Sequence, residues 1–296
     1  MPAEPSSPAP ESVAADIRAA VAAYDRRAEV TLWHGPRYRM TWRALGRGPT
    51  LILVPGLGAT YRVYALLLNR LAEHFRTVVY DYPGDHPDDG AELARIAHAD
   101  LAADLLGLID HLGAGRVCLH GPSFGSTVVL RALRVAPDRF AAAAVQGAFA
   151  FRPFRLAERL ALVFGRRFPG TVARIPLHDR VVTWMHKRSF PATQADRWDH
   201  FIEENGRTPI AAMVHRLDLL GRLDLRPLLP EIATEVLLLQ GTVDRLVPRP
   251  HFEVLRAGLP HAHAVLLPGV GHQPHYTHAE DLARRLTEFL RPRVPG

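Results

Sequence analysis

The chain has 296 residues, enough for a large hydrophobic core in one or two domains. Hydrophobic residues make up 48% and charged residues 22%, as in an ordinary globular protein, and a single cysteine, Cys118, excludes an internal disulfide. The net charge of +6 comes without a basic stripe interleaved with aromatic residues, so nucleic-acid binding is not expected.

The N-terminal segment MPAEPSSPAPES has neither the basic region nor the apolar region of a secretory signal. We predict a disordered tail over residues 1–11 and a helix over residues 12–27. No apolar run reaches the ~18 residues that a membrane-spanning helix needs, so no integral membrane segment is expected. The lone cysteine suits a reducing compartment, and together these features predict a cytoplasmic protein.

Apolar, strand-like runs then alternate with helical patterns. Two alternating, aromatic-rich segments near 29–46 predict an antiparallel hairpin. The short continuous apolar runs after it are typical of strands buried on both faces of a parallel sheet. In chain order we predict a strand at 50–56, a helix at 61–75, a strand at 77–84, a helix at 93–113 that ends at Gly113, a strand at 116–121, a helix after Ser123 and a strand at 139–147.

The alternation resumes with strands at 235–241 and 262–269 and a final helix at 279–290. Repeated strand, helix, strand predicts an α/β fold with a mostly parallel central sheet flanked by helices. The intervening segment shows no convincing buried strand, and its aromatic residues stand in helical surroundings, so we predict an inserted helical cap. The predicted division is a first core part at 12–150, the cap at 151–232 and a second core part at 233–296.

The predicted cap is also the most basic part of the chain. It holds 14 Lys and Arg residues against nine Asp and Glu residues. This excess favours an anionic substrate, although the arginine-rich composition of the whole chain explains it equally well. The aromatic side chains of the cap are expected in its core, with one or two of them at the pocket. They are Trp184, Phe190, Trp198 and Phe201.

Ser123 stands between two glycines where a predicted strand turns into a predicted helix. The stretch from Gly121 to Gly125 matches G-x-S-x-G, a sharp turn that lifts the serine hydroxyl above the sheet edge. Small residues at both ends let the strand and the helix approach each other. A serine that only caps the helix is the plainer alternative, but the strand before it and the helix after it favour a nucleophile.

A serine nucleophile needs a base, and the base needs a carboxylate that orients it. Asp244 follows the apolar run EVLLLQG, and His272 follows the run HAVLLPG. Both therefore come just past the carboxyl ends of predicted parallel strands, where loops gather. Asp244 could instead be a plain turn residue, but the chain order Ser, Asp, His favours a catalytic triad.

The chain resembles the α/β-hydrolase superfamily over roughly residues 30–292, outside the predicted cap. Four segments carry the resemblance in order, namely VPGLGAT, HGPSFGS, QGTVDRLVP and GVGHQPHYTHAE. The resemblance implies that Ser123 is the nucleophile, His272 the general base and Asp244 its orienting carboxylate. It also implies an oxyanion hole formed by the backbone N–H groups of Leu57 and Phe124.

The first of these loops departs from the family pattern. The family usually has His-Gly where this chain has Pro55-Gly56. Proline cannot donate a backbone hydrogen bond, and the contacts of the usual histidine are lost. The loop can still present the N–H of Leu57, so the assignment is kept.

Several histidines near the C-terminus raise the alternative of a metal site. There is no H-E-x-x-H pattern and only one cysteine, so we predict neither a metal nor another cofactor. Pro274 argues against a helix that would bring His272 and His275 to one face. The remaining polar residues are expected in structural or solvated roles: the other histidines (His251, His261, His263, His275 and His278) solvated or hydrogen-bonded, His120 a strand residue, Asp81 a turn former, and Asp85, Asp88 and Asp89 a solvated acidic loop.

These features predict a serine hydrolase that cleaves a carboxylic ester of a small or medium hydrophobic substrate through an acyl-enzyme. The same triad would serve a thioesterase, a lactonase, an acyltransferase or a C–C bond hydrolase. A non-catalytic binding module on the same fold is the alternative outside catalysis. The expected partner is a small-molecule substrate, and the oligomeric state is left open.

Overall fold

The structure is a computed structural model, and it describes residues 16–154, 162, 165 and 167–294. The predicted tail at 1–11 lies outside these residues, as do the first four residues of the predicted helix at 12–27. The described part of that helix is α1, Ile17–Arg27. It begins where the Asp16 carboxylate accepts the N–H of Arg18, an N-cap that satisfies one of the free donors of the first turn.

Eight strands of the described residues form one sheet in the order β1-β2-β4-β3-β5-β6-β7-β8. β1 and β2 form the predicted antiparallel hairpin, β2 is antiparallel to β4, and all later pairings are parallel, which confirms the predicted sheet. The strands are β1 Glu29–His34, β2 Arg39–Leu45, β3 Thr50–Leu53, β4 Arg76–Tyr80, β5 Val117–Pro122, β6 Phe140–Gln146, β7 Val236–Gly241 and β8 Ala262–Leu267.

Helices cover both faces of this sheet. In β3, Ile52 points into one hydrophobic cluster, whereas its neighbours Leu51 and Leu53 point into the other, as the alternation of side chains along a strand requires. The first cluster packs against α3, His98–His111, and α4, Phe124–Val135. The second packs against α2, Ala65–Leu71, and against the C-terminal helix.

Two predicted helices in the first half are shorter than their patterns suggested. The segment at 61–75 begins as a 3-10 helix, Tyr61–Tyr64, and α2 ends at Leu71. The segment at 93–113 is interrupted, because Ile96 and Ala97 are extended between the 3-10 helix Leu93–Arg95 and α3. The Asp100 carboxylate accepts the Ala97 N–H at 2.8 Å and so begins α3 anew. Gly113 follows α3 with a φ of 59°, the C-terminal glycine predicted from the sequence.

The described residues of segment 151–232 are helical, with no strand and two isolated bridges, one between Phe151 and Asp224 and one between Thr171 and Pro209. This agrees with the helical character expected of the segment, while its division from the core stays a prediction. The α-helices of its continuous described stretch, residues 167–232, are α5 His178–His186, α6 Ala195–Gly206 and α7 Ile210–Gly221.

Three α-helices of the described residues follow β7. The sequence reading missed α8, Arg249–Gly258, between β7 and β8. The one-turn helix α9, Pro274–Thr277, begins at the proline itself, a position where proline is tolerated. His272 precedes it, so, as predicted, no helix brings His272 and His275 to one face. The final helix α10, Ala279–Leu290, has the predicted bounds. None of the helices in the described ranges is long and apolar enough to cross a membrane.

The strand order places a crevice between β3 and β5. The chain leaves β3 toward β4 on one side of the sheet and returns from β4 to β5 on the other side of β3. At such a switch point, loops from the carboxyl ends of two neighbouring strands turn away from each other and leave room for a ligand. The loop after β3 carries Leu57, and the turn after β5 carries Ser123, so the topology brings both predicted site elements together.

Candidate active site

Ser123 occupies a strained turn between β5 and α4. Its φ is 49° and its ψ is −119°, a conformation that residues other than glycine rarely adopt. The turn is held on both sides, because the Ser123 N–H donates to the Gln146 carbonyl at 2.8 Å and the Ser123 carbonyl accepts from Ser126 Oγ at 2.5 Å. The surrounding structure therefore fixes the side chain above the carboxyl end of the sheet.

The two glycines of the motif allow this turn. A Cβ on Gly125 would lie 2.0 Å from the Val54 carbonyl oxygen, and a Cβ on Gly121 would lie 2.7 Å from Cγ2 of Val129. Neither distance is possible for a real side chain. As the sequence indicated, only glycine lets α4 pack so closely on β5 and on the loop after β3.

Asp244 and His272 meet at the ends of β7 and β8. Their carboxylate Oδ2 and ring Nδ1 are 2.7 Å apart, and both residues are buried. The other carboxylate oxygen of Asp244 accepts the N–H groups of Leu246 and Val247, each at 2.9 Å. Burial alone would raise the pKa of Asp244, but the His272 ring and these N–H groups outweigh it and hold the pKa below its usual value. An ionised Asp244 keeps the proton on Nδ1 and leaves Nε2 of His272 free to accept one.

Two residues that the sequence reading missed support the histidine. Gly147, directly after β6, has a φ of 53°, and a Cβ there would lie 2.9 Å from both Cε1 and Nδ1 of His272. Gln146 donates its side-chain amide to the His272 carbonyl at 3.1 Å. The only signal in the sequence is a Gln-Gly pair at the end of a buried strand, which by itself does not point to the histidine.

Ser123 and His272 line the same cavity. Within the described ranges, no hydrogen bond joins the serine hydroxyl to the His272 ring, and Ser123 is partly exposed. Catalytic hydrogen bonds are often long before substrate binds and shorten in the complex. The arrangement therefore provides a base, its orienting carboxylate and an accessible hydroxyl on one wall.

The loop with the unusual proline lies beside Ser123. A Cβ placed on Gly56 would be 3.8 Å from the Ser123 Cβ, which shows how closely this loop approaches the serine. Leu57 lines the cavity, and the hydrogen bonds of the described residues include none from its N–H. Phe124 is the first residue of α4, so its N–H has no acceptor within the helix. Both predicted oxyanion donors thus have their N–H groups available.

The cavity has a volume of about 360 Å³, within the range of small-ligand sites. Its wall is mostly apolar, with contributions from the core and from segment 151–232. A larger open hollow of about 440 Å³ lies at the surface between α2 and α10, but charged side chains line it and no predicted site residue does. The apolar residues of the first cavity include Leu57, Val63, Phe149, Val172, Val181, Val182, Met185, Phe201, Met213, Leu217 and Leu220.

The aromatic residues expected in the core of the cap behave in two ways. Phe190, Trp198 and Phe201 are buried and pack against one another, with ring centroids 5.2 to 5.7 Å apart. Phe190 and Phe201 also pack against Tyr276, and Phe201 lines the cavity. The expectation is wrong for Trp184, which is 81% exposed on α5.

Further histidines lie near the proposed base without sharing its partners. The ring of His186 is 6.3 Å from the His272 ring, and burial lowers the pKa of His186 to about 3. Burial likewise holds the pKa of His275 well below its usual value, and its Nδ1 has no hydrogen-bond partner, so the expectation of a solvated or satisfied residue is wrong there. Both rings are neutral near pH 7. Over the described ranges, no three His, Cys, Asp or Glu side chains come together in a way that could hold a metal ion.

The acidic residues after β4 are not a solvated loop. Asp81 forms an ion pair with Arg43 of β2 at 3.1 Å, and Asp89 is buried and accepts the N–H groups of Gly84 and Ala91. Asp85 accepts the Tyr82 N–H and pairs with Arg216 of α7. The expectation of solvation is met only by Asp88. Distant arginines pair with Asp81 and Asp85, so an ion pair replaces the turn role expected of Asp81, whereas Asp89 is held by neighbouring N–H groups.

A mostly parallel sheet with helices on both faces, and with a strained serine at the turn after its fifth strand, is the architecture of the α/β-hydrolases. The family model described as alpha/beta hydrolase fold matches residues 49–279. The chain belongs to this family, and it is a hydrolase.

Similar proteins agree with this assignment. The chain is 32% identical over 258 residues to a pimeloyl-[acyl-carrier protein] methyl ester esterase of Xanthomonas oryzae pv. oryzae, a match that covers 83% of this chain and 96% of that protein. Among solved structures, a hydrolase from Pseudomonas aeruginosa superposes with a TM-score of 0.77 at 20% identity over 88% of this chain and 98% of its own. The enol-lactonase of Burkholderia xenovorans superposes with a TM-score of 0.75 at 20% identity, over 88% of this chain and 99% of its own.

Proposed function

We propose that the protein is a serine hydrolase that cleaves carboxylic esters of small or medium hydrophobic substrates through an acyl-enzyme. The proposal rests on the 2.7 Å hydrogen bond between His272 and Asp244 at the wall of the cavity that Ser123 also lines. A buried, oriented histidine and a partly exposed serine on a strained turn, both lining one cavity, are what activation of a serine requires.

In the proposed reaction, Ser123 Oγ attacks the ester carbonyl carbon and its proton passes to Nε2 of His272. The N–H groups of Leu57 and Phe124 stabilise the negative charge on the carbonyl oxygen. When the tetrahedral intermediate collapses, the bond between the former carbonyl carbon and the alkoxy oxygen breaks, and the alkoxy group leaves as an alcohol with the proton from His272. A water molecule, deprotonated by the same ring, then attacks the acyl-enzyme and releases the acid and the free serine.

The apolar cavity wall supports a hydrophobic acyl or alcohol group. An ester is favoured because the Xanthomonas relative is named as a methyl ester esterase. Thioester, lactone and C–C bond hydrolysis and acyl transfer use the same three residues, and a substrate panel separates them. The alternative of a non-catalytic binding module is set aside, because the chain is a hydrolase of this family. As for the anionic substrate that the basic cap favoured, Arg152 is an arginine of that segment that reaches the cavity.

Labelling with a fluorophosphonate probe tests the nucleophile. These probes bond covalently to a serine that a base and an oxyanion hole activate, so the wild type should be labelled and Ser123→Ala should not. Ser123→Ala should also lose at least about 10³-fold in kcat on p-nitrophenyl esters of increasing chain length, as loss of a triad serine does.

A matched melting temperature for Ser123→Ala shows that its fold is intact. Asp244→Asn separates a triad from a lone serine, because it leaves the hydroxyl but misorients the base, and its labelling should be slow rather than absent. If the wild type stays unlabelled while it turns over an ester, or if the label falls on another serine, the proposed nucleophile is wrong.

A further inference from the structure

A single peptide group in the loop after β3 is held from both sides by tyrosine hydroxyls. Tyr82 donates its O–H to the Pro55 carbonyl at 3.1 Å, and Tyr64 accepts the Gly56 N–H at 2.8 Å. These two backbone groups belong to the same peptide plane and point in opposite directions, as in any trans peptide. The plane can therefore not rotate without breaking a buried hydrogen bond.

Both tyrosines are buried, and their positions in the sequence do not indicate that either contacts the Pro55–Gly56 peptide group. Tyr82 follows β4, and Tyr64 ends the 3-10 helix after the loop. Each side chain is about 1% exposed. Burial raises the pKa of both hydroxyls well above the ordinary value, so they keep their protons over the working pH range and Tyr82 remains a donor.

The next N–H lies in the following peptide plane, which joins this one at the Cα of Gly56 and is held by a contact of its own. The Gly56 carbonyl, in the following plane, accepts the Ala59 N–H at 3.4 Å. The Leu57 N–H belongs to that second plane and therefore points away from Ala59. Two successive planes are thus fixed, and the second carries the proposed oxyanion donor beside Ser123.

Tyr82 also contacts the side chain of Phe124, whose backbone N–H is the other proposed oxyanion donor. Its ring packs edge-on against the Phe124 ring, with centroids 5.5 Å apart. One side chain therefore contacts the loop that carries Leu57 through its hydroxyl and the first residue of α4 through its ring. An ordinary core tyrosine does not need both contacts, and Tyr38 shows this, since it only donates to the Asp81 carbonyl at 3.0 Å.

We propose that Tyr82 and Tyr64 are positioning residues that hold the oxyanion hole in its working geometry, in a loop that has Pro55 where the family usually has histidine. This inference rests on the proposed serine hydrolase function. Tyr82 acts through the Pro55 carbonyl and the Phe124 ring, and Tyr64 acts through the Gly56 N–H. Neither tyrosine exchanges a proton with the substrate.

Steady-state kinetics of Tyr82→Phe test the inference, because this variant keeps the ring and removes only the hydroxyl. An oxyanion hole acts on the transition state, so kcat should fall about tenfold while KM stays within twofold. Tyr82 does not line the cavity, which keeps the KM readout clean. Tyr38→Phe is the matched control, since it removes a buried O–H to carbonyl bond of similar length, and it should keep the wild-type kcat.

The inhibition constant of a trifluoromethyl ketone is a second measurement, and a loss of stability alone would not change it. The ketone forms a tetrahedral adduct with an active serine and places an oxyanion in the hole. Its inhibition constant should rise in Tyr82→Phe by the same factor as kcat falls, whereas inhibition by the carboxylic acid product should not change. Tyr64→Phe should also lower kcat. The fold-loss of kcat in the double variant should differ from the product of the two single losses, because both hydrogen bonds hold the same peptide plane.

The outcomes separate this inference from the proposed function. If the wild type is neither labelled by a fluorophosphonate nor active on esters, the proposed function fails and the inference fails with it. If the wild type is labelled and active but Tyr82→Phe matches it in kcat and in the ketone inhibition constant, the function stands and the positioning role is wrong. An equal loss in Tyr38→Phe would also refute it, because the loss would then come from general destabilisation.

Discussion

Gly147 shows how one backbone position shapes the proposed triad. It has a φ of 53°, and the space where a Cβ would stand is filled by the His272 ring and, at 3.3 Å, by Asp244 Oδ2. Any side chain there would push the histidine away from its carboxylate. A glycine at the end of β6 is therefore part of the geometry that keeps the two groups 2.7 Å apart.

Gly147→Ala should lower kcat by about 10- to 100-fold, because a displacement of the base by a fraction of an ångström to 1 Å misaligns proton transfer. Gly113→Ala is the control, since Gly113 has a φ of 59° and nothing within 4 Å of its Cβ position. Both variants carry a similar backbone strain of about 1 kcal/mol. Gly147→Ala alone adds the clash with His272, so its melting temperature should fall at least as far as that of Gly113→Ala. Equal kcat values for the two would show that Gly147 does not position His272.

At the scale of elements, α7 is joined to the loop after β4 by a buried ion pair. Arg216 is 1% exposed, pairs with the Asp85 carboxylate and lies 5.1 Å from the centroid of the Tyr82 ring. Burial raises the pKa of Asp85, and the Arg216 charge opposes that rise. This contact links a helix of segment 151–232 to the tyrosine that holds the Pro55 loop.

Arg216→Met should lower the free energy of unfolding by about 3 kcal/mol, because the Asp85 carboxylate, only 17% exposed, is left without its cation. The double variant Arg216→Met/Asp85→Leu should recover most of that loss, since no unpaired charge remains. Urea denaturation measures both. Arg222→Met, at the residue directly after the same helix, is the control, because the Arg222 side chain is 74% exposed and its pair with Asp218 should contribute less than about 1 kcal/mol. A loss in Arg216→Met no larger than in Arg222→Met would contradict the assignment.

At the scale of the whole molecule, buried histidines make the fold sensitive to acid. Burial lowers the pKa of His98 to about 3, with the nearby Arg131 charge adding to the effect, and lowers that of His120 to about 4. The hydrogen bonds of His98 require a neutral ring, because its Nδ1 accepts a hydrogen bond from Arg131. Its Nε2 forms a hydrogen bond with the Thr127 hydroxyl. These histidines gain protons on unfolding below the ordinary histidine pKa of 6.5.

The free energy of unfolding should therefore fall as pH drops from about 6.5 toward 4, by up to about 1.4 kcal/mol per pH unit for each such histidine. The sign follows because the unfolded chain binds more protons than the folded one in this window. Urea denaturation at several pH values measures the slope. His120→Leu should reduce it, and replacing the exposed His74 by Gln should not. An unchanged slope in His120→Leu would show that His120 is not part of the effect.

Most strands and the C-terminal helix could be predicted because their signals are local. The continuous apolar runs of β5 and β7 and the helical spacing of α10 are each contained in one short segment. The interruption at Ile96 and Ala97 was missed because a side chain–backbone bond from Asp100 decides it. The prediction that no helix joins His272 to His275 is correct, because Pro274 is tolerated in the first turn of α9 but would interrupt a helix that began before it.

The sequence by itself determined the order of the strands, the G-x-S-x-G turn at Gly121–Gly125 and the residues proposed for the triad, because each depends on neighbours in the chain. Only the tertiary structure decided what surrounds them: Tyr64 and Tyr82 on one peptide group, Gly147 under the His272 ring and Arg216 on Asp85. These contacts join residues that lie on different elements, and hydrogen bonds and packing act through space. No local pattern of residue types records which distant side chain will fill that space.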